Sequence, residues 1–244
     1  MRGFPGALLA LVLVLLSVSL ARAGCAQESF EGNSYAVCRF DLRQDRLQLF
    51  SLDANGQPYG SFSALADALE DRGQLLAFAM NAGMYDDGLK PIGLYVERGK
   101  QAKKINRRDG PGNFHLKPNG VFYIKGDKGG VMETEAFLKS GIRPDHASQS
   151  GPMLVIDGAI HPKFSEDGQS RQRRNGVGSP DGHTLVFVIS ESWVNFHSFA
   201  RLFRNRLGCK NALFLDGSIS SIYAPELGRR DGFFPLGPIV ALVK

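Results

Sequence analysis

Apolar residues in this chain fall mainly in short runs that stop at small polar residues. The clearest run covers residues 212–215 and is followed by Asp216, Gly217 and a serine-rich stretch. A short apolar run between such residues is typical of a strand buried on both faces, as in parallel sheets. Ligands of open α/β sheets bind at the carboxyl ends of the strands, so the pattern predicts that Asp216 lines a binding site. An ordinary Asp-Gly turn would have the same sequence.

A second segment repeats this order of elements. Residues 63–73 align with residues 198–208 without a gap, and the alignment continues until Asn81 lies over Asp216. Both segments predict a helix that begins at a serine and ends at a glycine, followed by a buried strand and a small polar residue. We therefore expect Asn81 and Asp216 at equivalent strand ends, facing one cleft.

The remainder of the chain contains more strand signals than helix signals. Alternating apolar and polar positions, interrupted by glycine, proline and asparagine, predict antiparallel strands and hairpins between residues 92 and 133. Its 244 residues, 43% of them hydrophobic, suffice for one complete core. We expect an α+β (or α/β) fold that is a single domain, with a mixed β-sheet, few helices and a ligand cleft at the strand ends.

The first residues have the features of a secretory signal peptide. Arg2 precedes an apolar run at residues 8–20 and a small-x-small site at residues 21–23. This run is shorter than the ~20 residues that span a bilayer. We therefore expect residues 1–23 to be removed, leaving a periplasmic or secreted protein without stable membrane insertion. A lipoprotein modified at Cys25 is an alternative that the flanking residues match poorly.

Export to an oxidising compartment makes Cys25 and Cys38 candidates for a disulfide, with Cys209 left as a buried thiol. The formal net charge of +5 is too small and too dispersed to indicate nucleic acid binding. Metal-ligand spacings such as CxxC and HExxH are absent from the sequence, so we predict no metal and no other cofactor. The basic cluster at residues 171–174 is more informative, because guanidinium groups bind phosphate with paired hydrogen bonds. Arg174 leads into Asn175 and, further on, into a predicted strand at residues 184–190, and we expect it to face inward.

Four blocks of the sequence resemble the signature blocks of the phosphodiester glycosidase family. They are Asn-Ala-Gly-Met-Tyr at 81–85, Ser-Gly-Pro-Met-Leu at 150–154, Arg-Arg-Asn-Gly at 173–176 and Leu-Asp-Gly-Ser-Ile-Ser-Ser at 215–221. The last block departs from the usual Asp-Gly-Gly-Gly-Ser of the family, which suggests a bacterial subgroup. The resemblance implies that residues 24–244 form a phosphodiester glycosidase-like domain, which hydrolyses the anomeric C–O bond of a sugar-1-phosphodiester. The animal member removes a covering N-acetylglucosamine from such a phosphodiester.

The residues are compatible with this chemistry. A phosphate leaving group needs less protonation than a sugar alkoxide, so one carboxylate and one phosphate-binding arginine could replace the usual acid/base pair. Asp216 is the candidate acid/base or nucleophile, with Asp157 and Glu191 as competing strand-end carboxylates, and Arg174 would hold the phosphate. Ser220 and Ser221 are expected at the first turn of a short helix before Pro225, which would form an anion site. The other candidates for substrate binding are Asn81, Gly83, His115, Ser150, Gly151, Asn175, His197, Gly217 and Ser218.

Two other functions remain open on the sequence. The same asparagine, arginine and serine side chains would serve a non-catalytic cell-envelope module that binds glycan or polymer phosphate. A serine hydrolase is the weaker alternative, because the sequence has no G-x-S-x-G motif and no histidine after Ser221.

Overall fold

The structure is a computed structural model that describes residues 24–217 and 219–244. The proposed signal peptide and Ser218 lie outside the described residues, so the structure does not bear on them. Across the described residues, no helix is long and apolar enough to cross a membrane. The secondary structure of this part of the chain consists mainly of three β-sheets and three α-helices.

The strands are numbered along the chain, but their order within each sheet is different. The first sheet has seven strands: β1 (Gly24–Phe30), β2 (Asn33–Asp41), β13 (Thr184–Ser190), β12 (Asn175–Ser179), β14 (Asn211–Asp216), β10 (Met153–Ile156) and β11 (Ala159–Ile160). The second has five: β16 (Arg229–Arg230), β15 (Ile222–Ala224), β4 (Leu76–Asn81), β17 (Ile239–Val243) and β3 (Leu47–Phe50). The third also has five: β6 (Lys100–Lys103), β5 (Tyr95–Glu97), β9 (His146–Ser150), β7 (Gly120–Lys125) and β8 (Lys128–Glu133).

All strand pairs among the described residues are antiparallel. The α+β composition with few helices is confirmed, whereas the parallel-sheet interpretation of the strands before Asn81 and Asp216 is wrong, and the sheets are not mixed. Strand β14 is nevertheless buried on both faces. Leu213 and Leu215 belong to the core cluster between the sheets, while Ala212 and Phe214 pack on the side that a helix covers. Layers on both sides give an antiparallel strand the same continuous apolar sequence as a parallel one.

The three α-helices are α1 (Phe62–Glu70), α2 (Thr134–Ser140) and α3 (Phe196–Arg201), and α3 continues into one π-helical turn, Leu202–Arg206. Helix α1 begins after Ser61, whose Oγ accepts a hydrogen bond of 3.1 Å from the Ala64 amide. The predicted helices at residues 63–72 and 198–207 thus exist, with starts shifted by up to two residues. Helix α2 and strands β1, β9 and β12 were not predicted. The prediction of a short helix before Pro225 is wrong, because Ile222–Ala224 forms strand β15.

A disulfide between Cys25 and Cys38 joins β1 to β2, where the two residues are cross-strand partners. This confirms the predicted pairing. Cys209 is a buried free thiol, and burial raises its pKa to about 12. A thiol with so high a pKa is a poor nucleophile at neutral pH, in agreement with a packing role.

Candidate active site

Asn175, the first residue of β12, links two of the sheets through its side chain. Its Nδ2 donates to the backbone carbonyl and to Oδ1 of Asn81, at 3.0 and 2.9 Å. Its Oδ1 accepts a hydrogen bond of 2.8 Å from the backbone amide of Asp216. Asn81 and Asn175 are both fully buried. The structure therefore brings the ends of β4 and β14 together through one amide side chain, although the strands lie in different sheets.

Three serines complete this polar cluster. The Ser221 amide donates to Asn81 Oδ1 at 3.0 Å, and Ser220 Oγ donates to the Asp216 carbonyl at 3.1 Å. From the third sheet, Ser150 Oγ donates to the Leu215 carbonyl at 3.0 Å. We call Asn81, Ser150, Asn175, Asp216, Ser220 and Ser221 the Asp216 cluster. Each of the three sheets contributes to it.

Asp216 has the environment of a functional carboxylate. The register shifts beside it, since Asn175 pairs with Asp216 but Gly176 pairs with Phe214, which leaves Leu215 as an extra residue in β14. Such bulges redirect side chains and are common beside active sites. Burial raises the pKa of Asp216 to about 6, and the backbone amides of Gly217 and Ile219 offset only part of that effect. The carboxyl group therefore changes protonation close to neutral pH.

Tyr85 is a neighbour of Asp216 that sequence reasoning did not select as a site residue. Its pKa is raised to about 12, first by burial and then by the negative charge of Asp216. Its hydroxyl donates to the Pro235 carbonyl at 2.6 Å. The residue was visible in the block at 81–85, but nothing in the sequence distinguishes this tyrosine from one that only packs.

Arg174 is buried, as expected, but it uses part of its guanidinium to bind the protein. Nε donates to the Val194 carbonyl at 3.0 Å, and Nη2 donates to the carbonyl and Oγ of Ser170 at 2.8 and 3.2 Å. The guanidinium carbon lies 3.7 Å from the ring centre of Phe196, which is a close cation–π contact. Burial lowers the Arg174 pKa to about 10, and within residues 24–217 and 219–244 no ion pair involves it.

Three of the other candidates lie elsewhere. Asp157 sits in the turn between β10 and β11, where its amide donates to Asn211 Oδ1 at 3.0 Å. Because Asn211 begins β14 and Asp216 ends it, Asp157 is at the wrong end of this strand for the cluster. His115 Nδ1 lies 3.0 Å from the Arg108 carbonyl, and His197 Nε2 lies 3.9 Å from Glu166. None of these contacts in the described chain reaches the Asp216 cluster.

Glu191 belongs to a charged group beside the cluster. It forms an ion pair with Arg229 and lies 4.0 Å from Arg173. Arg229 also binds Asp231 at 2.6 Å, and the Asp231 carboxylate accepts from the Ile222 amide at 3.1 Å, next to Ser221. The contacts with Arg229 and Arg173 engage the Glu191 carboxylate, which suits a structural or binding role better than proton transfer. Sequence reasoning missed Arg229 and Asp231, which follow no strand-end signal.

Of the three predicted glycines that the structure describes, two are required by close packing. A Cβ at Gly83, whose φ is +144°, would lie 2.7 Å from Ser148 Oγ, and one at Gly151 would lie 2.7 Å from the Asn119 side chain. At Gly217 the nearest atom would be the Phe214 ring at 3.4 Å. Two of the three therefore allow the loops around Ser150 to approach each other. As for metals, the described residues hold no group of three or more histidine, cysteine or acidic side chains arranged to bind an ion.

Comparison with known proteins agrees with this geometry. A family model described as phosphodiester glycosidase matches residues 75–230, a range that contains the whole Asp216 cluster. The chain belongs to the phosphodiester glycosidase family. An Escherichia coli (strain K12) protein of similar sequence, uncharacterized protein YigE, is 36% identical over 212 residues, which cover 87% of this chain and 82% of that relative.

Two solved structures have a similar fold. The catalytic domain of zebrafish N-acetylglucosamine-1-phosphodiester alpha-N-acetylglucosaminidase, auto-inhibited by its pro-peptide, has a TM-score of 0.59 at 14% identity and covers 89% of this chain and 81% of its own. A hypothetical protein from Synechocystis has a TM-score of 0.53 at 14% identity, covering 90% of this chain and 61% of its own. At this identity the two structures show only a shared fold, and the reaction of this chain needs separate support.

Proposed function

We propose that this protein is a hydrolase that cleaves the anomeric C–O bond of a sugar-1-phosphodiester, with Asp216 as its catalytic carboxylate. Membership of the phosphodiester glycosidase family supports the reaction class. The observation that carries the assignment is the half-buried Asp216, with its pKa raised to about 6, at the junction of three sheets. Perturbed carboxylates in polar clusters of this kind are typical of acid, base or nucleophilic catalysis.

Asp216 acts in its ionised form in this proposal. The bond between the anomeric carbon and the phosphate oxygen breaks, and the phosphate monoester leaves with the electron pair. Its low basicity means that it needs little protonation, so the carboxylate is free to work on the opposite side of the sugar. There it attacks the anomeric carbon directly and forms a glycosyl ester that water then hydrolyses, or it accepts a proton from the water that attacks the anomeric carbon. Retention of anomeric configuration would identify the first route and inversion the second.

Arg174 is the candidate for phosphate recognition. A buried cation without an acidic partner is unfavourable by itself, and a bound phosphate would supply the missing negative charge. The hydrogen bonds of its guanidinium use Nε and Nη2, so within the described chain Nη1 has no protein acceptor. Stacking on Phe196 holds the plane of the group in one orientation. The protein would thereby hold one edge of the Arg174 guanidinium, and the other edge would bind the substrate.

Asn81 adds a donor for a substrate oxygen. Its Oδ1 accepts two hydrogen bonds, from Asn175 Nδ2 and from the Ser221 amide. Its Nδ2 is buried and has no partner within residues 24–217 and 219–244. An unpartnered buried donor costs free energy, so an oxygen that reaches it is bound with little competition from water.

Exposed aromatic side chains on two loops are candidates to bind the sugar or the second group that the phosphodiester joins to it. Trp193 is 64% exposed and lies next to Val194, whose carbonyl binds Arg174. Phe233 is 91% exposed on the loop that Tyr85 anchors at Pro235. Large exposed aromatic groups beside a polar site are typical of binding surfaces, and the flat apolar face of a pyranose packs well on such rings.

The decisive experiment is turnover of several sugar-1-phosphodiesters by the purified mature protein and by Asp216→Asn. Asp157→Asn is the matched control, because it removes a carboxylate at the other end of β14. We expect Asp216→Asn to lose kcat by about 100-fold or more while calorimetry shows retained substrate affinity, and Asp157→Asn to behave as wild type. Near-normal kcat in Asp216→Asn would overturn the assignment. Tight binding by wild type without turnover of any substrate would favour the non-catalytic binding module.

A further inference from the structure

A second site opens at the edge of the third sheet, between the end of β3 and the edge strand β6. It is a cleft of about 540 Å³. Leu52, Pro91, Tyr95 and Ala102 provide apolar surface inside it. The volume and the apolar lining are those of a small-molecule site. None of its residues belongs to the Asp216 cluster, so this site is independent of the proposed function.

The charges around this cleft are strongly unbalanced. Lys90, Arg98, Lys100 and Lys103 line it, together with the single acid Glu97. Across the described residues, none of those four cations takes part in an ion pair. Glu97 is half-buried, and its carboxylate accepts a hydrogen bond of 3.0 Å from the Tyr95 hydroxyl. The rim therefore carries an excess of positive charge that no neighbouring acid neutralises, which favours an anionic ligand.

A buried hydroxyl in the same cleft also has no hydrogen-bond partner. Ser51 lines the cleft and is only 3% exposed, yet its Oγ makes no hydrogen bond within residues 24–217 and 219–244. Buried polar atoms are nearly always paired, and leaving one unpaired is unfavourable. A ligand atom that can donate to or accept from this hydroxyl would remove that cost.

We propose that the cleft binds an anionic amphiphile, a molecule with a phosphate-like head and an apolar body. The head lies against Lys100 and Lys103, the body covers Leu52 and Ala102, and a polar atom of the ligand bonds Ser51. A bilayer phospholipid and a free amphiphile share this chemistry. The experiment therefore includes one arm for each source.

The first arm uses dihexanoyl phosphatidylglycerol below its critical micelle concentration, measured by calorimetry with the full mature chain. We expect saturable binding, with dihexanoyl phosphatidylcholine and inorganic phosphate weaker by about tenfold or more, because phosphatidylcholine has no net negative charge and inorganic phosphate has no apolar body. Lys100→Glu combined with Lys103→Glu should raise Kd by about tenfold or more. Lys104→Glu is the matched control, as this exposed lysine follows β6 but does not line the cleft. Equal binding of the two lipids, or an equal loss in Lys104→Glu, would overturn the proposal.

Two further variants test whether the ligand binds in the cleft or is held only by general charge attraction. Ala102→Trp fills the cleft without changing its charge and should abolish binding. Ser51→Ala should raise Kd several-fold without lowering the denaturation midpoint, because the hydroxyl has no partner to lose among the described residues. Unchanged affinity in Ala102→Trp would place the ligand elsewhere and refute the site.

The second arm uses vesicles of phosphatidylglycerol in a sedimentation assay, with phosphatidylcholine vesicles as the control. Sedimentation that Ala102→Trp abolishes identifies the bilayer as the source of the ligand, whereas binding of the monomeric lipid alone identifies a free amphiphile. Both results support the cleft. Failure of both the monomer and the vesicle to bind would refute it.

Discussion

At the scale of single residues, Asp216 shows how a fold can hold an acidic side chain at a cost in stability. Burial raises its pKa to about 6 from an ordinary value of 3.8. The folded chain therefore retains a proton that the unfolded chain releases between about pH 4 and pH 6. Over that interval the contribution of this residue to the free energy of unfolding falls as pH rises, by up to about 3 kcal/mol in total, and it stays low above pH 6.

We expect Asp216→Asn to be more stable than wild type at pH 7 by about 1–3 kcal/mol and to lose the advantage below pH 4. Urea denaturation of both proteins across pH 4 to 7 measures this difference. Buried His146, whose pKa is lowered to about 4, makes the free energy of unfolding rise with pH in both proteins. Comparing the variant with wild type cancels this opposing effect. A constant difference at all pH values would mean that the Asp216 pKa is not raised.

Arg174 and Asp216 should fail in different ways. A charge-assisted contact between Arg174 and phosphate that exists in both ground and transition states is worth roughly 1.5–3 kcal/mol. Arg174→Gln should then raise KM by roughly 10- to 150-fold with little change in kcat. Exposed Arg171→Gln is the control, and thermal denaturation checks that the loss of bonds to Val194 and Ser170 leaves the variant folded. A loss confined to kcat would contradict phosphate binding in the ground state.

At the scale of elements, two of the strands that sequence reasoning missed, β9 and β12, have residues that are selected by their neighbours. Strand β12 has the sequence Asn-Gly-Val-Gly-Ser, which has little strand propensity. A Cβ at Gly176 would lie 2.8 Å from the Leu213 carbonyl, and one at Gly178 would lie 2.8 Å from Cys209 Sγ. Close approach of β14 and of the segment after α3 therefore selects glycine at positions where local preference would choose a β-branched residue.

Strand β9 is polar for a related reason. Gln149 Oε1 accepts from the amides of Leu94 and Asn106 at 3.0 and 2.8 Å, and Ser150 bonds the Leu215 carbonyl. These side chains take the place of missing backbone partners in adjoining loops and at the bulge of β14. A polar strand at the centre of a sheet is stable only because those loops are present, and the sequence of β9 alone contains no sign of them.

The first hairpin offers a test at this scale. The Cys25–Cys38 disulfide spans a sequence separation of 13 residues. A bond that closes a loop of about this size should stabilise the fold by about 2–4 kcal/mol, mainly by restricting the unfolded chain. The free energy of unfolding should fall by the same amount when wild type is reduced and when both cysteines are replaced, in Cys25→Ala combined with Cys38→Ala. Denaturation of oxidised wild type, reduced wild type and the double variant measures these losses. Equal stability in all three would contradict a stabilising role for this bond.

At the scale of the whole molecule, the Asp216 cluster joins the three sheets. Asn175→Ala removes the side chain that bonds Asn81 and the Asp216 amide, and it leaves buried groups unpaired. We expect the free energy of unfolding to fall by about 2–4 kcal/mol, measured by urea denaturation. The control Asn55→Ala, at an exposed turn, should change it by less than about 0.5 kcal/mol. Similar values for the two variants would mean that the cluster does not hold the sheets together.

Sequence patterns alone determined the helices at α1 and α3, the buried strands that end at Asn81 and Asp216, and the cysteine pair. Helix caps and apolar runs are local signals, and a cysteine count needs no spatial information. All three can therefore be recognised without knowledge of the neighbouring elements. The motif blocks also identified the family. Tertiary structure decided that the sheets are antiparallel, that Asp157 lies at the opposite end of β14 from Asp216, and that Glu191 is paired with Arg229. Strand direction, the end of a strand that faces a cleft, and the pairing of charges all depend on residues distant in the chain, and an apolar run has the same pattern in either direction.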